Sequence, residues 1–186
     1  MQSKSFAKQE SAMTTSDALT SSTRLTPATQ EWMTQQGFNP NDPSHIGRHD
    51  DTPLIAACRQ GVEEVVLDLL RLPADVIVLN HRNMDGTNAL WATVVANHFL
   101  LADNLLAAGI DINNINDHGA STLMYAASSG KTDWVSYLLD MGADTRAESL
   151  DGFTALDLAS NIECLRLLRK ASKTASSSPD AISTTC

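Results

Sequence analysis

Four stretches decide the fold: Asp51–Gly61 (DTPLIAACRQG), Thr87–Asn97 (TNALWATVVAN), Ala120–Gly130 (ASTLMYAASSG) and Phe153–Ser160 (FTALDLAS). Aligned on Leu54, Leu90, Leu123 and Leu156, they recur at spacings of 36, 33 and 33 residues. A leucine pair follows each, at Leu69-Leu70, Leu105-Leu106, Leu138-Leu139 and Leu167-Leu168, spaced by 36, 33 and 29. A period near 33 that carries two short apolar segments signals a repeat architecture, in which each unit buries its apolar face only against its neighbours.

Working outward, each unit reads as helix, turn, helix. Thr52, Asn88, Ser121 and Thr154 precede the first apolar segments. Each can cap a helix by accepting a bond from an otherwise unpaired N–H. Pro53 suits the first helical position, where no N–H is needed. Small residues follow on one face (Ala56-Ala57, Ala92-Thr93, Ala126-Ala127, Ala159-Ser160) and allow close helix approach. Gly61, Asn97 and Gly130 then end the first helices as left-handed residues. Second helices are expected from Glu63, Phe99, Thr132 and Ile162. The turn-formers Asn83–Gly86, Asn116–Gly119 and Ser149–Gly152 link one unit to the next.

These segments resemble ankyrin repeats. Thr52-Pro53-Leu54-Ile55-Ala56-Ala57 follows the T-P-L-H-x-A pattern of that family, and Leu138–Asp144 follows its L-L-x-x-G-A-D ending. The resemblance covers about residues 50–171 and implies an all-α solenoid of about four helix-turn-helix repeats. It departs at the family's histidine, which is Ile55, Trp91, Met124 and Asp157 here. The connection from Leu70 to Gly86 is three residues longer than its counterparts, and its apolar run Asp75–Leu79 is expected to tuck against the first repeat. The last unit is four residues short, which suits a C-terminal cap.

The expected organisation is an N-terminal tail at 1–25, a capping segment with a short helix at 26–49, and repeats at about 50–82, 83–115, 116–148 and 149–171. A second tail follows at 172–186. Twelve of residues 1–29 and eight of residues 172–186 are Ser or Thr. Neither end has the apolar periodicity that offsets the entropy of ordering, so both are read as flexible. Thr26, Pro27 and Gly37 bracket the capping helix, with Trp32 and Met33 to cover the first repeat.

The formal net charge of −9, from 13 Lys and Arg against 22 Asp and Glu, argues against nucleic acid or an anionic membrane as the main partner. From Asn83 to Thr145 only Lys131 is basic, against seven aspartates. The most apolar stretch, Leu90 to Ile110, contains Asn97, His98, Asp103 and Asn104 and makes a poor membrane span. Three scattered cysteines form no disulfide framework, and the first residues lack the apolar run of a secretory signal. A soluble, cytoplasmic, monomeric protein is expected.

No catalytic set emerges. His45 and His49 with Asp50 and Asp51 are metal-ligating residue types, but Pro43 and Gly47 disfavour the helix that would align them. Cys58 and Cys164 are expected as packed thiols. No cofactor, metal or enzymatic activity is expected. The resemblance implies binding through turn tips and first helices on the concave face. Position by position these are Met84, Asp85, Thr87, Asp117, His118, Tyr125, Ser128, Leu150, Asp151 and Phe153, centred on the third and fourth repeats. The expected function is a non-catalytic protein-interaction module whose acidic groove takes a partner with a basic and apolar surface. The alternative is an adaptor or inhibitor acting on one enzyme or complex through its tails, with the repeats as scaffold.

Overall fold

The computed structural model describes residues 24–176. The expected tails at 1–25 and 172–186 therefore lie largely outside the described residues. Eight α-helices are present among the described residues, with one isolated β-bridge (Ile115 with Ser121) in place of strands. They are α1 (Pro27–Gln35), α2 (Pro53–Gln60), α3 (Glu63–Leu70), α4 (Ala89–Ala96), α5 (Phe99–Ala107), α6 (Thr122–Ser128), α7 (Thr132–Asp140) and α8 (Ile162–Ser176). A single 3-10 turn, Arg48–Asp50, precedes α2.

The local signals act as expected. Oxygens of Thr52, Asn88 and Ser121 accept from the backbone N–H groups of Ile55, Trp91 and Met124. Gly61 and Asn97 close α2 and α4 in the left-handed region. Pairs α2/α3, α4/α5 and α6/α7 then stack, with α2 on α4 and α4 on α6. The core runs through the stack as one cluster from Leu25 to Leu168. Ile77 and Leu79 of the longer connection reach into it, so the three extra residues add core to the first repeat.

The last unit differs from expectation. Thr154 was expected to start a full helix, but only one turn forms over residues 155–158. Asp157 folds back to accept from both the N–H and the hydroxyl of Thr154. Ser160 N–H then donates to Ala127 O, and the Asn161 side chain donates to Gly130 O. With four residues missing, the chain reaches the end of α6 directly and has no length for a first helix. Asn161 Oδ1 accepts from Cys164 N at 2.8 Å and so starts α8, which continues through Ser176.

At the other end α1 packs on α3. Met33 is fully buried, and Trp32 packs against the core. The buried Asp68 carboxylate ties the two helices together, accepting from Thr26 N at 2.7 Å and Thr26 Oγ1 at 2.9 Å and pairing with Arg71 at 3.0 Å. Burial pushes this carboxyl up. The bonds from the Thr26 N–H and the Thr29 and Thr26 hydroxyls, with the Arg71 charge, outweigh it and hold its pKa below the ordinary value. The folded state therefore holds this proton less well than the unfolded chain. The stabilisation is complete above the unfolded value near 4 and is lost as pH falls through the lower folded value. Asp68→Asn is expected to cost about 2 kcal/mol at neutral pH, and less as pH falls below about 4. Thermal melts of both proteins across that range check it; a pH-independent difference would contradict it.

Thr122 Oγ1 is the one buried side-chain oxygen or nitrogen without a hydrogen-bond partner among the described residues. It occupies the first position of α6, where the first repeat has Pro53. Thr122→Val keeps the shape and removes the orphaned hydroxyl, so the melting temperature is expected to rise by about 2–4 °C, corresponding to about 1 kcal/mol. A lower melting temperature would show that the hydroxyl has a partner in solution.

Candidate functional site

The turn tips are built by side chains that close their own turns. Asn83 Oδ1 accepts from the N–H groups of Asp85 and Thr87 and from the Thr87 hydroxyl at 2.9–3.1 Å. Asn116 Oδ1 accepts from His118 N and Ala120 N in the same way. Successive tips are joined by Met84 N–H to His49 O, Asp117 N–H to Asp85 O, and Leu150 N–H to His118 O, at 3.0–3.1 Å. This close approach requires glycine at Gly119. Its φ is +73°, and a Cβ there would lie 2.8 Å from Leu150 N.

Between these tips and the first helices lies a groove of about 550 Å³, lined by His49, Arg59, Asp85, Thr87, Trp91, Ala92, Val95, Asn116 and His118. Trp91 on α4 meets Tyr125 on α6 with ring centroids 5.4 Å apart. Val95, 45% exposed, adds apolar surface one turn along α4. His49 and Asp50 are both in the left-handed region, at φ 60° and 57°, a strained arrangement for two adjacent residues that are not glycine. His49 O accepts from Met84 N, and Asp50 O lies 2.7 Å from His81 Nε2. These bonds hold the turn, with His49 Nδ1 3.3 Å from Met84 Sδ. Arg59 and His49 also line a cavity of about 600 Å³ on the N-terminal side, so the concavity extends toward α1.

The structure sorts the expected site residues into three sets. Asp85, Thr87 and His118 line the groove, with Met84 and Tyr125 bordering it through His49 and Trp91. Leu150, Asp151 and Phe153 are exposed on the last turn and do not line the groove, although the Leu150 backbone bonds to that of His118 at its edge. The Ser128 hydroxyl donates to Tyr125 O and points along α6. Thr87 is buried, its N–H and hydroxyl both committed to Asn83. It shapes the turn and presents little to a partner.

The groove is also less acidic than the residue count implied. Arg59 pairs with the buried Asp51 carboxylate at 2.6 Å, and Arg82 pairs with Asp117 at 3.2 Å. Both cations lie outside the Asn83–Thr145 stretch, and stacking brings residues about one period apart side by side. Sequence reasoning passed over Arg59 and Trp91 as groove residues. The signal was available: Trp91 and Tyr125 are 34 positions apart, which places them on neighbouring first helices.

Both thiols among the described residues are buried. Cys58 is buried, and that burial pushes its thiol up to about 12, leaving almost no thiolate at neutral pH. Cys164 is buried as well, 3.5 Å from Thr132 Oγ1. Among the described residues no helix is long and apolar enough to cross a membrane.

Residues 90–177 match a family model described as ankyrin repeats in three copies. The chain is 35% identical over 83 residues to "Ankyrin repeat and SAM domain-containing protein 6" of Mus musculus, a match covering 42% of this chain and 9% of that protein. It is 33% identical over 91 residues to an ankyrin repeat protein of Fowlpox virus (strain NVSL), covering 47% of this chain and 14% of the relative. It is 26% identical over 116 residues to the "Nuclear factor NF-kappa-B p105 subunit" of Gallus gallus, covering 61% and 12%. The chain thus spans a small fraction of the length of the curated relatives it matches. Ankyrin repeats are in general protein-interaction modules. Residues 90–177 thus carry ankyrin repeats, and the helix pair α2/α3 before them stacks on the same array.

Proposed function

We propose that this chain is a non-catalytic binding module, monomeric, that holds a protein partner in the groove between its turn tips and first helices. One observation carries the reading: the groove has a defined floor, where Trp91 lies against Tyr125 beside the exposed Val95. Aromatic side chains held rigidly in a concavity are favoured anchors of interfaces, because they bury large area with little loss of rotamer freedom. The partner would present an apolar side chain to Trp91 and Val95 and a basic group to Asp85, with Asp151 engaging it farther along the tips.

A photoreactive amino acid placed at Val95 tests this. Crosslinks to one partner are expected from position 95 and not from position 100, since Leu100 is 67% exposed on the outer helix α5. Equal crosslinking from both positions would remove the groove as the site.

A further inference from the structure

Charge is divided sharply between α8 and the rest of the described chain. Residues 24–161 carry seven Lys and Arg against 18 Asp and Glu, whereas Ile162–Ser176 carries four against one. The four cations, Arg166, Arg169, Lys170 and Lys173, are all exposed. At 3.6 residues per turn they fall on a stripe about 100° wide. Ile162, 61% exposed, stands one turn before Arg166 on the same stripe. Cys164 and Leu168 lie across the helix and are fully buried.

Two ordinary explanations fall short of this pattern. Cations near a helix C-terminus complement its macrodipole, but that effect fades within the last turn. With α8 ending at Ser176 it covers Lys173 and leaves Arg166 and Arg169 unexplained. A polar face on a terminal repeat aids solubility, yet in an acidic protein more carboxylates serve that end as well. Arg166 pairs with Glu163 at 2.8 Å. Among the described residues no carboxylate pairs with Arg169 or Lys170.

We propose that this face of α8 is a second docking surface, separate from the groove, and that it takes an acidic protein segment with an aliphatic residue opposite Ile162. Charge complementarity selects the occupant: the stripe is an isolated positive field, and an acidic segment is repelled by the remainder of the molecule. The buried apolar side of α8 is already packed on α7. The helix therefore has no free apolar face to insert into lipid, which disfavours a membrane as the occupant.

The test uses the full chain and a fluorescein-labelled, glutamate-rich peptide with one central leucine. Binding is expected by fluorescence anisotropy, weakening steeply as salt rises through the physiological range. Arg169→Glu with Lys170→Glu should weaken it by about tenfold or more. Because both residues are exposed, the double variant should keep the wild-type melting temperature. Trp91→Ala should leave peptide binding unchanged, which separates this surface from the groove. Absence of binding, or equal binding by the charge-reversed variant, overturns the proposal. So does capture of phosphatidylserine vesicles without the peptide, or salt-sensitive self-association that disappears on charge reversal, since the occupant would then be lipid or a second copy.

Discussion

Truncating Trp134 to alanine is expected to lower the free energy of unfolding by about 4 kcal/mol, the range for emptying a large buried aromatic site. Trp134 is 1% exposed on α7 and stacks on Phe99 of α5 with centroids 3.9 Å apart and planes 10° from parallel. Tyr137 closes the cluster edge-on to both rings, and its hydroxyl donates to Asp103 at 2.7 Å. The indole N–H donates to Asn97 Oδ1 at 2.6 Å. Asn97 is the left-handed residue that ends α4, so one hydrogen bond couples α7 to the turn between α4 and α5. Trp134→Phe keeps much of the stack and removes that bond, and should cost less than half as much as alanine. Urea unfolding followed by circular dichroism measures both. Repeats interact only with their neighbours, so amides of α7 and α8 in the alanine variant should exchange faster than those of α2 and α3. Uniform acceleration through the whole array would mean that the stack unfolds as one unit.

Trp91→Ala is expected to weaken binding of the groove partner by about 3 kcal/mol, on the order of 100-fold, mainly through faster dissociation. Trp91 is half-buried and contributes to the groove floor, so its loss should disturb folding far less than loss of Trp134. Tyr125→Ala should give a smaller effect of the same kind, because its ring supports Trp91 from the next repeat. Asp85→Lys should instead slow association and flatten the salt dependence, since Asp85 is exposed at the groove edge. Surface plasmon resonance on the identified partner resolves the two rates. If Trp91→Ala binds as wild type while Asp85→Lys does not, the partner rides on the turn tips and leaves the groove floor empty.

Local rules wrote most of the secondary structure. A side chain at Thr52, Asn88 or Ser121 needs only its own backbone to cap a helix, and Gly61 and Asn97 need only their own φ to end one. The second helices at Glu63, Phe99 and Thr132 start without a side-chain cap, two residues after Gly61, Asn97 and Gly130, whereas Asn161 caps the one at Ile162. The one helix that did not form shows where that reasoning stops. Thr154 has the right side chain for a cap, but the path to Ala127 and Gly130 is set by contacts made across a whole repeat.

Reading along the chain was enough for the period, the ends of most helices and the ankyrin repeats of residues 90–177, because those follow from local signals. Tertiary structure alone decided the character of the groove. Counting charges between Asn83 and Thr145 made it uniformly acidic. Stacking set Arg82 against Asp117 and placed Arg59, paired with Asp51, on its wall. It also turned Thr87 inward and brought Trp91 onto Tyr125. Each of the Arg82–Asp117 and Trp91–Tyr125 pairs joins residues about one repeat apart, at a distance that linear reading treats as remote and that a solenoid makes adjacent.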